Sequence, residues 1–399
     1  MQELQVPGFL AAGVHAGLKS DQKLDVGLVV SKAPCSVAGV FTKNRLASAC
    51  VELCRAIAKK GQGRALLVNS GNANALVGGQ AMASIEMLVQ SISEKLGMAP
   101  EEILQASTGI IGVPLPIERM LPVLPELLRK LNSGGLKDVA NAMITTDKSE
   151  KVAFEEFEIE GKRVHLAVLT KGAGMIAPNL ATMLTFAFCD AAVEPSTLQN
   201  ILQDAVEPTF NSIRVDGETS PNDMVLLFAN GVSGVKIKDG PQNASSERFI
   251  ASLKGLFEQN ARKILEDGEG ARHVVAYRVR GLEDSGQAKK LCQFLCDSLL
   301  IRCALAGEDP NFAGRLLTRI GAFEGSLPSD SLRVFFEGIP LYAKGELFVQ
   351  KNREKISEVL KKPFYEVHVD FGGVSHEDVV CMGCDLTLDY VRFNSAYAT

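Results

Sequence analysis

The chain has 399 residues, 46% of them hydrophobic and 22% charged, with a formal net charge of −5. That length provides about two to three domain-sized units and enough apolar material for a large core. The mildly acidic balance, with no Lys/Arg run, argues against nucleic acid as the main partner.

No basic region opens the N-terminus, Met1-Gln-Glu-Leu-Gln5, and no apolar run reaches about 18 residues. Neither a signal peptide nor a membrane span is expected, and a cytoplasmic protein is the expectation. Taken in order, residues 25–31 and 64–68 read as buried strands, and 69–75 follows as a loop rich in Asn and Gly. Met82, Ile85, Leu88, Ile92 and Leu96 recur at helical spacing and predict a helix over 80–96. Residues 107–116 form a second glycine-bearing loop. A helix over 117–132, with Leu121, Leu124, Leu128 and Leu131 on its apolar side, and a short one over 137–144 lead into Thr145-Thr-Asp147.

The periodicity then changes. Strands 152–160 and 163–169 are joined by Gly161-Lys162, a two-residue hairpin signal. Further strands are expected at 183–188, 224–229 and 274–280, and several between 332 and 393, of which 385–393 alternates like a strand. Helices are expected near 195–206, over 246–266 (Phe249, Leu253, Leu256, Ile264, Leu265) and over 286–304. Residues 238–247 read as an exposed loop. Strands alternating with helices in both halves give an α/β or α+β class.

The nine cysteines are odd in number and suit a reducing compartment rather than a disulfide framework. Cys292, Cys296 and Cys303 fall at helical spacing and read as small apolar residues. Cys381-Met-Gly-Cys384 has redox or zinc spacing, but no second such pair accompanies it and His376 is its nearest histidine; structural thiols are the simpler reading. Five scattered histidines form no HxxxH or HxH pair, which leaves a metal site unsupported.

The stretch that organises the chain is Lys171-Gly-Ala-Gly-Met-Ile-Ala-Pro-Asn-Leu-Ala-Thr182. It is a turn-rich connection between two strands, ending in a small residue and then a hydroxyl. A threonine hydroxyl becomes a competent nucleophile when a base sits beside it, and its own α-amine serves once the chain is cut in front of it. A free α-amine titrates near pH ~7.7–8.0 and can accept a proton at cellular pH. The plainer reading is a β-branched residue opening a strand.

This stretch resembles the self-cleavage site of the ornithine acetyltransferase (glutamate N-acetyltransferase) family of arginine biosynthesis. Further blocks resemble the family in the family's order: Gly8-Phe-Leu-Ala-Ala-Gly-Val14, Asn69-Ser-Gly-Asn-Ala-Asn-Ala75, Ser107-Thr-Gly-Ile-Ile-Gly112, Thr145-Thr-Asp147, Val215-Asp-Gly217, Asp267-Gly-Glu-Gly270 and Asn394 to Thr399. Each block is weak alone, and their joint order carries the resemblance.

The resemblance implies a layered sandwich, with helices covering two central sheets, of the N-terminal-nucleophile kind. It implies a cut between Ala181 and Thr182, giving chains 1–181 and 182–399 that remain one intertwined fold, two copies of each forming a heterotetramer. It implies Thr182 as nucleophile and Thr108 with Gly109 as oxyanion hole. Thr145, Lys171, Thr182, Glu269, Asn394 and Thr399 would be the substrate contacts. Lys171 suits a substrate α-carboxylate, and Glu269 suits the side-chain ammonium of ornithine; unaided, these would read as a solvated lysine and a helix C-cap turn.

The reaction implied is acetyl transfer from N-acetyl-L-ornithine to L-glutamate, without metal or organic cofactor; some family members also take acetyl from acetyl-CoA. Two departures stand out: Ala271-Arg272-His273, where the family places a small hydroxyl residue and then a basic one, and Phe312-Ala313, where relatives commonly carry Trp directly before Gly-Arg. Two other readings remain open. One is an aminopeptidase of related fold, in which water replaces glutamate as acceptor. The other is an unprocessed, non-enzymatic α/β binding protein.

Overall fold

The computed structural model describes residues 4–20, 22–177, 183–238, 240, 243–373 and 377–396. Ala181, Thr182, His376 and Thr399 therefore lie outside the described residues, and so does the junction between the two implied chains. The chain divides into two compact units, one of residues 1–211 and 218–264 and one of 212–217 and 265–399.

The strands are, in chain order, β1 (Phe9–Val14), β2 (Val26–Phe41), β3 (Gln62–Asn69), β4 (Ile103–Ser107), β5 (Lys151–Ile159), β6 (Lys162–Lys171), β7 (Leu184–Cys189), β8 (Ala192–Val193), β9 (Ile213–Arg214), β10 (Met224–Ala229), β11 (Lys236–Ile237), β12 (Val274–Arg280), β13 (Arg333–Phe336), β14 (Ile339–Ala343), β15 (Glu346–Leu347), β16 (Phe364–Asp370) and β17 (Val379–Cys384). In the first unit the large sheet runs β4-β3-β2-β10-β7-β6-β5, with β1 paired to β2, and β8 and β11 form a small parallel pair. In the second the order is β15-β14-β13-β16-β12-β17-β9. Helices pack on each sheet, among them Ala49–Lys60, Leu136–Met143 and Pro195–Val206 in the first unit and Ser285–Cys296 in the second. The mixed α/β class with two large sheets matches the expectation.

Local chemistry explains the layout. The central strands β7 and β10 (Leu-Thr-Phe-Ala-Phe-Cys and Met-Val-Leu-Leu-Phe-Ala) are buried at every position, so they read as continuous apolar runs rather than alternating ones. The ring of Phe188 lies 5.2 Å from that of Phe9 and 5.3 Å from that of Phe228, tying β1, β7 and β10 together. Each such pair adds about 0.5–1.5 kcal/mol beyond area burial.

Several sequence expectations need correction. The hairpin between β5 and β6 turns on Glu160-Gly161, not Gly161-Lys162: Ile159 pairs with Lys162, and both turn residues have positive φ, 50° and 73°, as a type I′ turn requires. The helix expected over 117–132 is broken into Ile117–Met120, a 3₁₀ turn Leu121–Val123, and Leu124–Arg129. Pro122 and Pro125 lack the N–H that a continuous helix needs. The helix expected over 286–304 is two, Ser285–Cys296 and Leu299–Ala306. Ser298 caps the second through its hydroxyl, and Asp297 is drawn to Arg214 Nε at 2.6 Å. That break leaves Cys303 exposed, whereas Cys292 and Cys296 are buried as expected.

Residues 385–393 do not form a strand; Leu388–Ala396 is a helix. Thr387 Oγ1 accepts the N–H of Asp389 at its start. Leu388 is 74% exposed and Val391 58%, so the apparent alternation there did not report burial. The expected 238–247 loop ends early, because the helix Ala244–Glu266 begins within it, its first turn held by Asn243 Oδ1. Strand β1 and the helices Ala49–Lys60, Phe312–Gly321 and Arg353–Leu360 were not anticipated.

Candidate active site

Strand β6 delivers Lys171 to the end of the first unit's sheet, where it pairs with Leu184 of β7. The connection between these residues is the stretch that carries Ala181 and Thr182. Ala173, Ile176 and Ala177 are buried in it, and Met175 is exposed. Beyond the undescribed residues, the carbonyl of Met183 accepts the N–H of Met224 at 3.1 Å, which aligns the start of β7 with the start of β10.

Strand β4 delivers Thr108 and Gly109. The Thr108 N–H donates to the Asn69 carbonyl at 3.0 Å. Gly109, at φ +132°, lies so close to the neighbouring loop that a Cβ would fall 2.4 Å from the Gly71 carbonyl carbon and 2.5 Å from Asn72 N. Only glycine fits there. Its own N–H has no partner among the described residues. Lys171 Nζ donates to Thr108 Oγ1 at 3.2 Å, so the structure joins these two candidates directly.

Asp147, a member of the Thr-Thr-Asp block to which the sequence assigned no separate role, is the hub of this arrangement. Its Oδ1 accepts from Lys151 Nζ at 2.6 Å and from the Gly172 N–H at 2.7 Å, and its Oδ2 accepts from the Thr145 N–H at 3.0 Å. Burial opposes the charged form, but Lys171, Lys151 and the Gly172 N–H outweigh it and hold the carboxyl below its ordinary value. One carboxylate therefore clasps the Thr145 segment to the Lys171-Gly172 segment.

Asp223, just before β10, behaves in the opposite way. Burial pushes its carboxyl well above the usual range, with Lys171 and Ser220 pulling back only in part, and its Oδ2 has no hydrogen-bond partner among the described residues.

The Asn-rich loop 69–75 proves to be scaffolding. Asn69 Oδ1 accepts from Ser107 Oγ at 2.7 Å and from Gln105 Nε2 at 3.0 Å, while Asn69 Nδ2 donates to the Asn72 carbonyl. Asn222 Nδ2 crosses from the other side to the carbonyls of Ala73 and Ser107, at 2.6 and 2.8 Å. Sequence reasoning missed Asp147, Lys151, Asn222 and Asp223 as site residues. The one usable signal was their position beside quoted blocks.

In the second unit, Asn394 Nδ2 donates to Glu269 Oε2 at 2.8 Å, so this predicted pair also meets. No group of three or more His, Cys, Asp or Glu among the described residues is disposed to hold a metal ion. No helix among them is long and apolar enough to cross a membrane.

A family model for ArgJ matches residues 10–399. The chain belongs to the ArgJ family. It is 38% identical over 393 residues to the arginine biosynthesis bifunctional protein ArgJ of Agrobacterium fabrum, covering 98% of this chain and 95% of that one. It is 38% identical to the protein of the same name from Symbiobacterium thermophilum, at 98% and 97% coverage. Among solved structures, the bifunctional protein ArgJ of Bacillus halodurans is 32% identical, with a TM-score of 0.42 and coverage of 44% of this chain and 92% of that one. The ornithine acetyltransferase of Mycobacterium tuberculosis complexed with ornithine is 29% identical, with a TM-score of 0.40 and coverage of 45% and 98%.

The departures from the ArgJ pattern have structural explanations. His273 is buried, its Nδ1 3.1 Å from Asp385 Oδ2 and its ring stacked on Tyr365, while Arg272 is an exposed residue whose N–H donates to Asp385 Oδ1. Both serve the turn into β12. Phe312 and Ala313 are core residues, with Phe312 set edge-on to Phe336 at 4.8 Å. Cys381 and Cys384 lie three apart on β17, so their side chains leave opposite faces of the strand. Cys381 meets Cys292, a hydrogen bond that lowers its pKa; Cys384 meets the Val215 carbonyl and is pushed up to about 12 by burial. The zinc-like spacing therefore does not assemble a pair.

Proposed function

We propose that this ArgJ-family chain is a self-processing acyltransferase of arginine biosynthesis, moving acetyl from N-acetyl-L-ornithine to L-glutamate. Thr182 Oγ attacks the Ala181 carbonyl and the C–N bond breaks, which leaves an ester on Oγ and a free Thr182 α-amine; water then hydrolyses that ester, releasing the Ala181 carboxylate and restoring the Thr182 hydroxyl. The amine then takes the hydroxyl proton as Thr182 attacks the acetyl carbonyl. Oxyanion charge is met by the Thr108 hydroxyl and the Gly109 N–H. The C–N bond breaks, ornithine leaves with the proton, and the acetyl group stays as an ester on Thr182. The amine of glutamate attacks that ester, N-acetyl-L-glutamate departs, and Thr182 is regenerated. Thr145, Lys171, Glu269, Asn394 and Thr399 are the substrate contacts of this reading.

The observation that supports it most is the Lys171 Nζ–Thr108 Oγ1 contact, because it brings the cation at the start of the connection that leads to Thr182 to the hydroxyl just after β4. The family match over residues 10–399 supports it independently. No metal or organic cofactor takes part in this scheme. The proposal extends to acetyl-CoA as a second donor, to a cytoplasmic location and to an assembly of two copies of each fragment, which native mass measurement reads directly.

The test uses purified protein on a denaturing gel and by intact mass. Fragments 1–181 and 182–399 are expected, and N-acetylornithine without glutamate should add one acetyl group to the second. A full-length protein without turnover, or acetylation confined to 1–181, overturns the reading. Release of free acetate in place of transfer to glutamate would instead mark a hydrolase.

A further inference from the structure

We propose that Lys171 acts on the chemistry through Thr108: its ammonium orients and polarises the Thr108 hydroxyl as an oxyanion donor. This makes Lys171 a positioning residue of the oxyanion hole and not solely a clamp on a substrate carboxylate. The inference rests on the acyl-transfer reading above and deepens it.

Donor and acceptor capacity fixes the roles in this contact. An ammonium can only donate, so in the 3.2 Å contact the Thr108 oxygen is the acceptor and its single proton must point elsewhere. A hydroxyl that accepts from a cation becomes a stronger donor through its own O–H, and more so in a low-dielectric setting. Thr108 is only 9% exposed. The contact thus settles both the rotor state and the donor strength of a group whose task is to meet developing negative charge.

Both ends of the contact are held. Lys171 closes the β6–β7 ladder, and the N–H of Gly172 beside it is fixed by Asp147 at 2.7 Å. Asp147 is in turn anchored by Lys151, whose ammonium is fully buried. Thr108 is fixed by its N–H to Asn69 and by the Asn72 bridges on either side of Gly109. Among the described residues, the carboxylates that act on this lysine include Asp147, which Lys151 also neutralises, and the buried Asp223. Asp223 Oδ2 has no hydrogen-bond partner among the described residues, and its burial favours the neutral acid.

The test is a double-mutant cycle between Lys171→Met and Thr108→Val, read on kcat and KM for N-acetylornithine and, separately, on the rate of self-cleavage, which needs no amino-acid substrate. Loss of one oxyanion donor lowers rate by roughly 10²–10³-fold in other enzymes. The expectation is that Lys171→Met lowers kcat by roughly tenfold or more with a smaller change in KM, and that in the Thr108→Val background it adds less than about twofold. Lys171→Arg, which keeps a donor cation, should recover part of the loss, and it replaces Lys171→Met if that variant fails to fold.

A raised KM with kcat unchanged overturns the inference, and so does a loss that multiplies in full with that of Thr108→Val. A wild-type protein that neither cleaves nor transfers acetyl overturns the functional reading itself. A wild type that cleaves without transferring still reports the coupling through the cleavage rate.

Discussion

Two buried carboxylates that interact with Lys171 titrate in opposite directions, and each makes a prediction. Asp147 is held ionised, so it contributes stability that is present above its unfolded pKa, near ~3.9, and is lost as pH falls through its lower folded value. Asp147→Asn should be strongly destabilising at neutral pH, because it removes the carboxylate paired with the buried Lys151 ammonium. Breaking a buried pair from one side costs about 3–5 kcal/mol. Urea denaturation should show that difference at pH 7 and a smaller one in acid.

Asp223 is the reverse case. Its raised carboxyl contributes stability below the unfolded pKa that is lost as pH rises toward the folded value. Asp223→Asn keeps the shape and removes the ionisable group, so it should raise Tm, by a margin that widens from pH 4 toward neutrality. Thermal melts across that range decide it; an Asn variant that melts lower at pH 7 would show that the carboxylate is ionised and partnered. At the candidate nucleophile, Thr182→Ala should remain full length and inactive, and efficient cleavage of that variant would sink the proposed chemistry.

Gly270 governs the C-terminal helix. At φ +72° it lies where a Cβ would meet Tyr390 N at 2.5 Å and Thr387 Oγ1 at 2.9 Å, and Thr387 Oγ1 donates to its carbonyl at 2.7 Å. Gly270→Ala should therefore push the helix Leu388–Ala396 off the Glu269 turn and separate Asn394 from Glu269. Self-cleavage should persist while the KM for amino-acid substrates rises; gel processing and steady-state kinetics, run separately, distinguish the two. Deleting 396–399 should act in the same direction, and wild-type kinetics in either variant would remove the tail from the site.

The same helix shows where sequence reasoning stops. Strand β10 was legible because an unbroken apolar run of that length has few other fates, and β12 because its β-branched and aromatic residues outweigh its two arginines. The 388–396 segment was not, since its apolar residues face outward and its cap is a hydroxyl shared with a turn more than a hundred residues earlier. Likewise Thr108, Lys171 and Glu269 were singled out from motif resemblance, whereas Asp147 and Asn222 act by gathering backbone groups from distant segments. No local pattern announces such contacts.

In the first unit the strand order interleaves the two sides of the proposed cut. β7 and β10 follow residue 182, yet they lie between β2 and β6, which precede it. Scission at 181–182 would remove the covalent connection between β6 and β7 and leave every ladder in place. Fragments 1–181 and 182–399 should therefore co-elute in native size exclusion and separate only in denaturant; separation under native conditions would contradict the topology.

That interleaving would also make the proposed maturation a one-way step in refolding terms. Before the cut, the segment joining β6 to β7 is a short tether that keeps the pairing partners at high effective concentration. After it, the unfolded halves diffuse apart, and recovering the central sheet becomes a second-order encounter between two chains, each exposing unpaired strand edges that invite aggregation. The uncut Thr182→Ala protein should regain its structure from denaturant at a rate independent of protein concentration. The mature protein should do so at a rate and yield that depend on concentration. Cut at 181–182, the molecule would be a folded object with a memory of its precursor: an arrangement stable once made, in two chains that no longer carry the connectivity that made it.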